Sequence, residues 1–152
     1  MENQLKIGLA QINTNVGDFE SNYELIVSNI EKAERKGCDI LAFPELSISG
    51  YPPEDLLLNK TFLKTNTVYL NKIISHTKKL KSTIIIGSAL IDDHSDVLRN
   101  SLLVIKNGKV KKTYHKIFLP NYGVFDEKRY FEPGNKTISF KVSNNIVGVS
   151  IC

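Results

Sequence analysis

The chain has few cysteines, no long hydrophobic run and none of the glycine-rich loops that cradle phosphates. Its 152 residues include two cysteines, Cys38 and Cys152, too few for a disulfide framework, so a cytoplasmic setting is expected. No segment approaches the roughly 20 consecutive apolar residues a membrane span requires. The opening "MENQLKIGLAQI" is interrupted by polar residues and has no small-residue cleavage site, so it does not read as a signal peptide. Neither GxGxxG nor a Walker-type sequence occurs, which removes the common nucleotide-binding signatures. His76, His94 and His115 have no metal-like spacing with Cys38, and no metal site is expected. No repeat, low-complexity tract or linker divides the chain, which reads as one domain or part of one.

What is present is an ordinary globular composition with a mild basic excess. Twenty basic residues stand against sixteen acidic ones, for a net charge of +4. The lysines are scattered, with short clusters at Lys78-Lys79 and between Lys109 and Lys112. They form no basic stripe studded with aromatics, so a solvated face is expected and a nucleic-acid partner is not.

Apolar spacing gives the order of elements. Leu5 to Ile12 reads as a strand. Asp18 then caps a helix whose apolar residues, Phe19, Tyr23, Ile26, Ile30 and Ala33, recur at steps of four and three, one face of an α-helix. Gly37 ends it. "CDILAF" is a short buried strand stopped by Pro44, and a second helix is predicted from Thr61 to Leu80, with Leu63, Leu70, Ile73, Ile74 and Leu80 inward. "STIIIGSALI" is apolar throughout, which predicts a strand buried on both faces. Asn107-Gly108 between two β-like runs predicts a hairpin. After the aromatic and charged loop "IFLPNYGVFDEKRYFEPGN", two last strands are expected, Thr137 to Val142 and a buried one from Ile146 to Cys152. Two early helices among more numerous strands predict an α/β fold: helices on one face of a mixed sheet whose other face needs a cover.

Three residues have chemical possibilities. Glu45 follows the strand "LAFP", and strand ends in α/β sheets are where ligands bind, so it is a candidate base or a solvated acid. Lys116 follows "VKKTYH" and precedes apolar residues. It either stabilises developing negative charge or reaches out to water. Cys152 ends the last strand, as a nucleophile if a base and a cation lie near, or as a small core residue. Cys38 has no such partners and reads as packing.

Order and local context add to these single signals. "LAFPELSISGYPPEDLL", "YHKIFLPNYGVFDEKRYFEPG" and "GVSIC" resemble the Glu, Lys and Cys blocks of the carbon–nitrogen hydrolase (nitrilase) superfamily. "GYPPEDLL", "NYGVFDEKRYFEPG" and the opening "IGLAQINTNVGDFESN" are similar to the N-terminal glutaminase domains of glutamine-dependent NAD synthetases. The resemblance covers the whole chain. It implies an α-β-β-α sandwich of the nitrilase type, present here as an incomplete N-terminal portion, with residues 1–152 a partial glutaminase domain that ends at the nucleophile.

The resemblance also implies roles. Cys152 attacks the glutamine carboxamide, Glu45 shuttles the proton, Lys116 holds the oxyanion, and a glutamyl thioester forms and is hydrolysed. Tyr122 resembles a glutamine-binding tyrosine; Phe125, Glu127 and Tyr51 shape the same pocket, and Glu127 accepts a hydrogen bond that orients Lys116. The amidase half needs no cofactor. ATP and Mg belong to a C-terminal synthetase domain that uses the ammonia to amidate deamido-NAD, and the full-length protein is expected to be a homo-oligomer. A chain stopping at Cys152 would lack the backbone N–H that follows the nucleophile, an oxyanion donor whose loss costs a factor of about 100 to 1,000. The isolated piece is therefore expected to be inactive. The competing readings are a stand-alone amidase acting on another small amide and an inactive fragment that serves only in association.

Overall fold

A computed structural model describes residues 4–92 and 97–152; His94 lies outside the described residues. The first strand, β1 (Ile7–Leu9), leads into helix α1 (Phe19–Arg35). The Asp18 side chain caps α1, accepting from the Ser21 N–H. Ile26 and Ile30 are fully buried on its inner face, as the spacing predicts. Strand β2 (Ile40–Ala42) follows, then a 3₁₀ turn at Glu54–Leu58 and helix α2 (Lys60–His76). Asn59 caps α2 by accepting from the N–H groups of Thr61 and Phe62. The helix predicted to reach Leu80 tightens instead into a 3₁₀ turn at Thr77–Lys79. There the buried Thr77 hydroxyl donates back to the Ile74 carbonyl, a bond that competes with continuing the helix.

Strand β3 (Thr83–Ile91) runs parallel to β2, which is parallel to β1, and the sheet order is β1-β2-β3. Both crossovers step in the same direction, and right-handed crossovers of that kind place their helices on the same face. Strands β4 (Leu98–Lys106) and β5 (Lys109–His115) extend the sheet antiparallel through the Asn107-Gly108 turn. Asn107 and Gly108 both have positive φ, 53° and 70°, as a type I′ hairpin turn demands.

Side-chain alternation divides the core in two. Leu41, Ile84, Ile86, Leu103 and Ile105 face α1 and α2, with Cys38 packed at the margin of that cluster. Ile40, Ile85, Leu102 and Val104 face the opposite way. This second face is covered by a separate hairpin, β6 (Ile138–Val142) and β7 (Asn145–Val149), which turns Ile138, Phe140, Val142, Val147 and Val149 inward. Helices, five-stranded sheet and hairpin form three successive layers, α-β-β.

The predicted final strand needs correction. It ends at Val149 rather than at Cys152, and it is half-buried rather than buried. The cause is its partner: Val149 pairs with Ile138, the first residue of β6, and the chain before Ile138 does not continue the ladder. Ile146 points outward and is 81% exposed, and Cys152 is exposed as well.

The two faces of the hairpin predict different responses. Phe140→Ala should destabilise the protein by about 2 kcal/mol, from loss of apolar burial against the sheet. Ile146→Ala should change stability by less than about 0.5 kcal/mol. Urea unfolding of both variants checks the register.

Candidate active site

Three strand ends converge on one end of the sheet. Glu45 follows the carboxyl end of β2, Lys116 follows the carboxyl end of β5, and Asn100 lies near the start of the antiparallel β4. Backbone packing fixes the first of these. A Cβ on Gly87 of β3 would come within 2.6 Å of the Leu46 nitrogen and 2.8 Å of the Glu45 Cα. Only a glycine lets the Glu45 backbone lie so close to the strand. Lys116 is held by main-chain bonds on both sides: its N–H donates to the Asn100 carbonyl, and its carbonyl accepts from the Gly134 N–H, each at 2.8 Å.

The Lys116 side chain is 2% exposed, so it does not reach out to water. Its Nζ donates to Glu45 Oε1 and to Glu127 Oε1, both at 2.8 Å. Asn100, itself 1% exposed, donates from Nδ2 to the same Glu45 oxygen at 2.5 Å. Burial pulls the Lys116 ammonium toward neutrality, but its hydrogen bonds to Glu127 and Glu45 and their charges more than offset this and hold its pKa above the ordinary value. Burial pushes the Glu127 carboxyl up, and the nearby Glu45 adds to this against the opposing pull of Lys116. Two carboxylates share one cation here, so one of them is under-compensated.

Glu45, Lys116 and Glu127 form part of the wall of a cleft of about 1090 Å³ that also takes in Tyr51, Tyr122, Phe125 and Cys152. All seven residues singled out from the sequence thus line one cavity. Cys152 also borders a smaller hollow together with Pro44, Glu45 and Gly87. Tyr122 and Phe125 meet edge to face, with ring centroids 5.7 Å apart. Tyr122 is 71% exposed at the rim. Burial and then the Glu45 and Glu127 carboxylates raise the Tyr51 phenol, keeping it a hydrogen-bond donor. Leu119 and Phe131 belong to a third apolar cluster, with Leu46, Leu57 and Ala89, that supports the cleft from beneath.

Asn100 and Gly87 escaped the sequence reading. A single glycine inside the otherwise apolar run of β3 is the signal that could have revealed the close approach of another backbone. Asn100 carries no such signal. Among the described residues no group of three or more His, Cys, Asp or Glu is placed to hold a metal ion, and no helix is long and apolar enough to cross a membrane.

A buried lysine between two glutamates at the end of a mixed sheet, with an exposed cysteine on the same cleft, fits acyl-transfer chemistry on an amide. The family model for carbon–nitrogen hydrolases matches residues 6–152, and the chain belongs to that family. It is 46% identical over 149 residues to the glutamine-dependent NAD(+) synthetase of Thermotoga maritima, a match covering 98% of this chain and 25% of that protein. The Aquifex aeolicus protein of the same name is 45% identical, with 97% of this chain and 25% of that one covered. Among solved structures, the glutamine-dependent NAD+ synthetase of Acinetobacter baumannii superposes with a TM-score of 0.87 at 34% identity, over 97% of this chain and 27% of its own. An amidase from a Nesterenkonia species shares the fold, with a TM-score of 0.85 at 19% identity over 97% of this chain and 55% of its own. The fold is therefore of the nitrilase type, and the chain spans about a quarter of the length of the curated relatives it matches.

The charges at the site set how stability depends on pH. Above 4.5, the ordinary value for glutamate, native Glu127 keeps a proton that the unfolded chain has released, so its contribution falls as pH rises until the native group ionises too. Glu127→Gln should abolish this decline, which urea unfolding across the mildly acidic range would show. The Lys116 contribution is complete below its ordinary value of 10.5 and is lost as pH rises through the higher native value. Gly87→Ala should destabilise the protein by about 1–3 kcal/mol through overpacking against Glu45 and Leu46, measured in the same way.

Proposed function

We propose that the chain is the glutamine-hydrolysing part of a glutamine-dependent NAD synthetase. The observation that carries this reading is the shared cleft in which Lys116 bridges Glu45 and Glu127 while Cys152 lines the same wall. Sequence identity of 46% to a synthetase of that name supports the choice of glutamine over other amides. In the proposed reaction the Cys152 thiol gives its proton to Glu45, and its sulfur adds to the side-chain carboxamide carbon of glutamine. The oxyanion that forms takes a hydrogen bond from Lys116. An ammonium has three N–H donors, and Glu45 and Glu127 occupy two of them, which leaves the third for the oxyanion. Glu45 then protonates the departing nitrogen, the C–N bond breaks, and ammonia leaves behind a glutamyl thioester. A water molecule that loses its proton to Glu45 attacks the thioester, releasing glutamate and restoring the thiol.

Tyr122, Phe125 and Tyr51 are assigned to holding the substrate, and Glu127 to aiming Lys116. The amidase step uses no cofactor. The ammonia passes to a C-terminal synthetase domain that spends ATP, with Mg, to amidate deamido-NAD. The full protein works as a homo-oligomer in the cytoplasm, where its cysteines stay reduced; Cys38 and Cys152 are both free thiols.

Ammonia release from glutamine by the intact protein tests the reading. Cys152→Ala and Glu45→Gln should each lower kcat by more than about 1,000-fold. Tyr122→Ala should raise KM by about tenfold with a smaller change in kcat. A polypeptide limited to residues 1–152 should release no ammonia above background, because an oxyanion donor expected just after Cys152 is not part of it. Undiminished ammonia release by Cys152→Ala would refute the assignment.

A further inference from the structure

We propose that Asn100 is a positioning residue that decides which oxygen of Glu45 handles the proton. The inference rests on the glutaminase reading and deepens it. Glu45 Oε1 receives two hydrogen bonds, from Lys116 Nζ at 2.8 Å and from Asn100 Nδ2 at 2.5 Å. Among the described residues none donates to Oε2, and the Glu45 side chain is 24% exposed toward the cleft. With Oε1 occupied by two fixed donors, Oε2 is the atom left to take a proton from a thiol or a water.

The orientation of the Asn100 amide follows from the contact itself. Turned the other way, it would set its oxygen against a carboxylate oxygen, two acceptors with no proton between them. Asn100 is fully enclosed in β4, opposite Ala89 of β3, and its carbonyl accepts the Lys116 N–H. One residue therefore ties down both the carboxylate and the backbone of the cation. Its Oδ1 finds no protein partner among the described residues, and an unsatisfied buried oxygen is destabilising. An apolar residue would fill the same space without that penalty, so the amide is explained by what its nitrogen does for Glu45 and for Glu127, whose ionised form it also favours.

The groups that act on Glu45 are the Lys116 ammonium, the Glu127 carboxyl, the Tyr51 phenol and Asn100 itself, with Cys152 on the same hollow. A donor favours the ionised form of a carboxylate, and a neighbouring negative charge disfavours it. Replacing Asn100 therefore changes the pH dependence in a definite order. In the intact protein, Asn100→Ala should lower kcat for ammonia release about 10- to 100-fold with KM changed less than about threefold. The acid limb of its rate profile should move upward, because a donor to the carboxylates is lost. Asn100→Asp keeps the shape but replaces the donor with a third carboxyl, and its acid limb should lie higher still.

Alkylation of Cys152 by iodoacetamide, located by peptide mass spectrometry to separate it from Cys38, needs no glutamine and should show the same order of acid limbs. A role in packing alone predicts the opposite ranking. The isosteric Asp variant would then keep the native rate and limb while Ala lost activity, and that result overturns the proposal. Should Asn100→Ala fail to fold, the Asp variant alone carries the test. If the unmutated protein released no ammonia from glutamine, the glutaminase reading would fail, while the alkylation series would still decide the role of Asn100.

Discussion

The buried ammonium of Lys116, held between two carboxylates, is the constraint on which the site depends. A charge taken out of water is tolerated only where opposite charge and hydrogen bonds replace its hydration. Glu45 and Glu127 supply both at 2.8 Å. The pairing works in both directions: the carboxylates keep the lysine charged, and the lysine fixes where their oxygens lie. In the proposed reaction this arrangement leaves one ammonium proton and the cleft-facing Glu45 Oε2 to act with the Cys152 sulfur, while Glu127 Oε2 is buried without a partner among the described residues. The site is organised before any substrate arrives, which is where electrostatic catalysis gains most.

Sheet topology brings these groups together although Glu45 and Lys116 are 71 positions apart in sequence. Because β2, β3 and β5 run one way and β4 runs the other, the ends of β2 and β5 and the start of β4 share one end of the sheet. Gly87 lets the Glu45 turn settle onto β3, and Gly134 is equally constrained, since a Cβ there would lie 2.2 Å from the His115 carbonyl oxygen. The cleft thus stands on close backbone approaches as well as on side chains. Behind it, α1 and α2 fill one face of the sheet and the β6–β7 hairpin covers the other.

Much of this was legible in the residues. The spacing of Phe19, Ile26 and Ile30 predicts α1, the Asn107-Gly108 pair predicts the β4–β5 turn, and the strand-end positions of Glu45 and Lys116 mark them as candidates. These signals are local, set by periodicity or by backbone preference. What was not legible depends on contacts made across the fold. β7 stops at Val149 because its partner begins at Ile138, and no property of "VSIC" predicts that. Asn100 looks like any polar residue near a strand end until Glu45 and Lys116 are placed around it. The hairpin as the cover of the second face is likewise a fact of assembly, although the alternation of Ile138, Phe140 and Val142 was in plain view.

The most direct measurement of the central claim is to stop the intact protein with acid during turnover of glutamine and map its covalent adducts by mass spectrometry. The account predicts a glutamyl group on the Cys152 sulfur, more abundant when the hydrolytic half-reaction is slowed. An unmodified Cys152 in a protein that is releasing ammonia, or a glutamyl group on Cys38 instead, would contradict it.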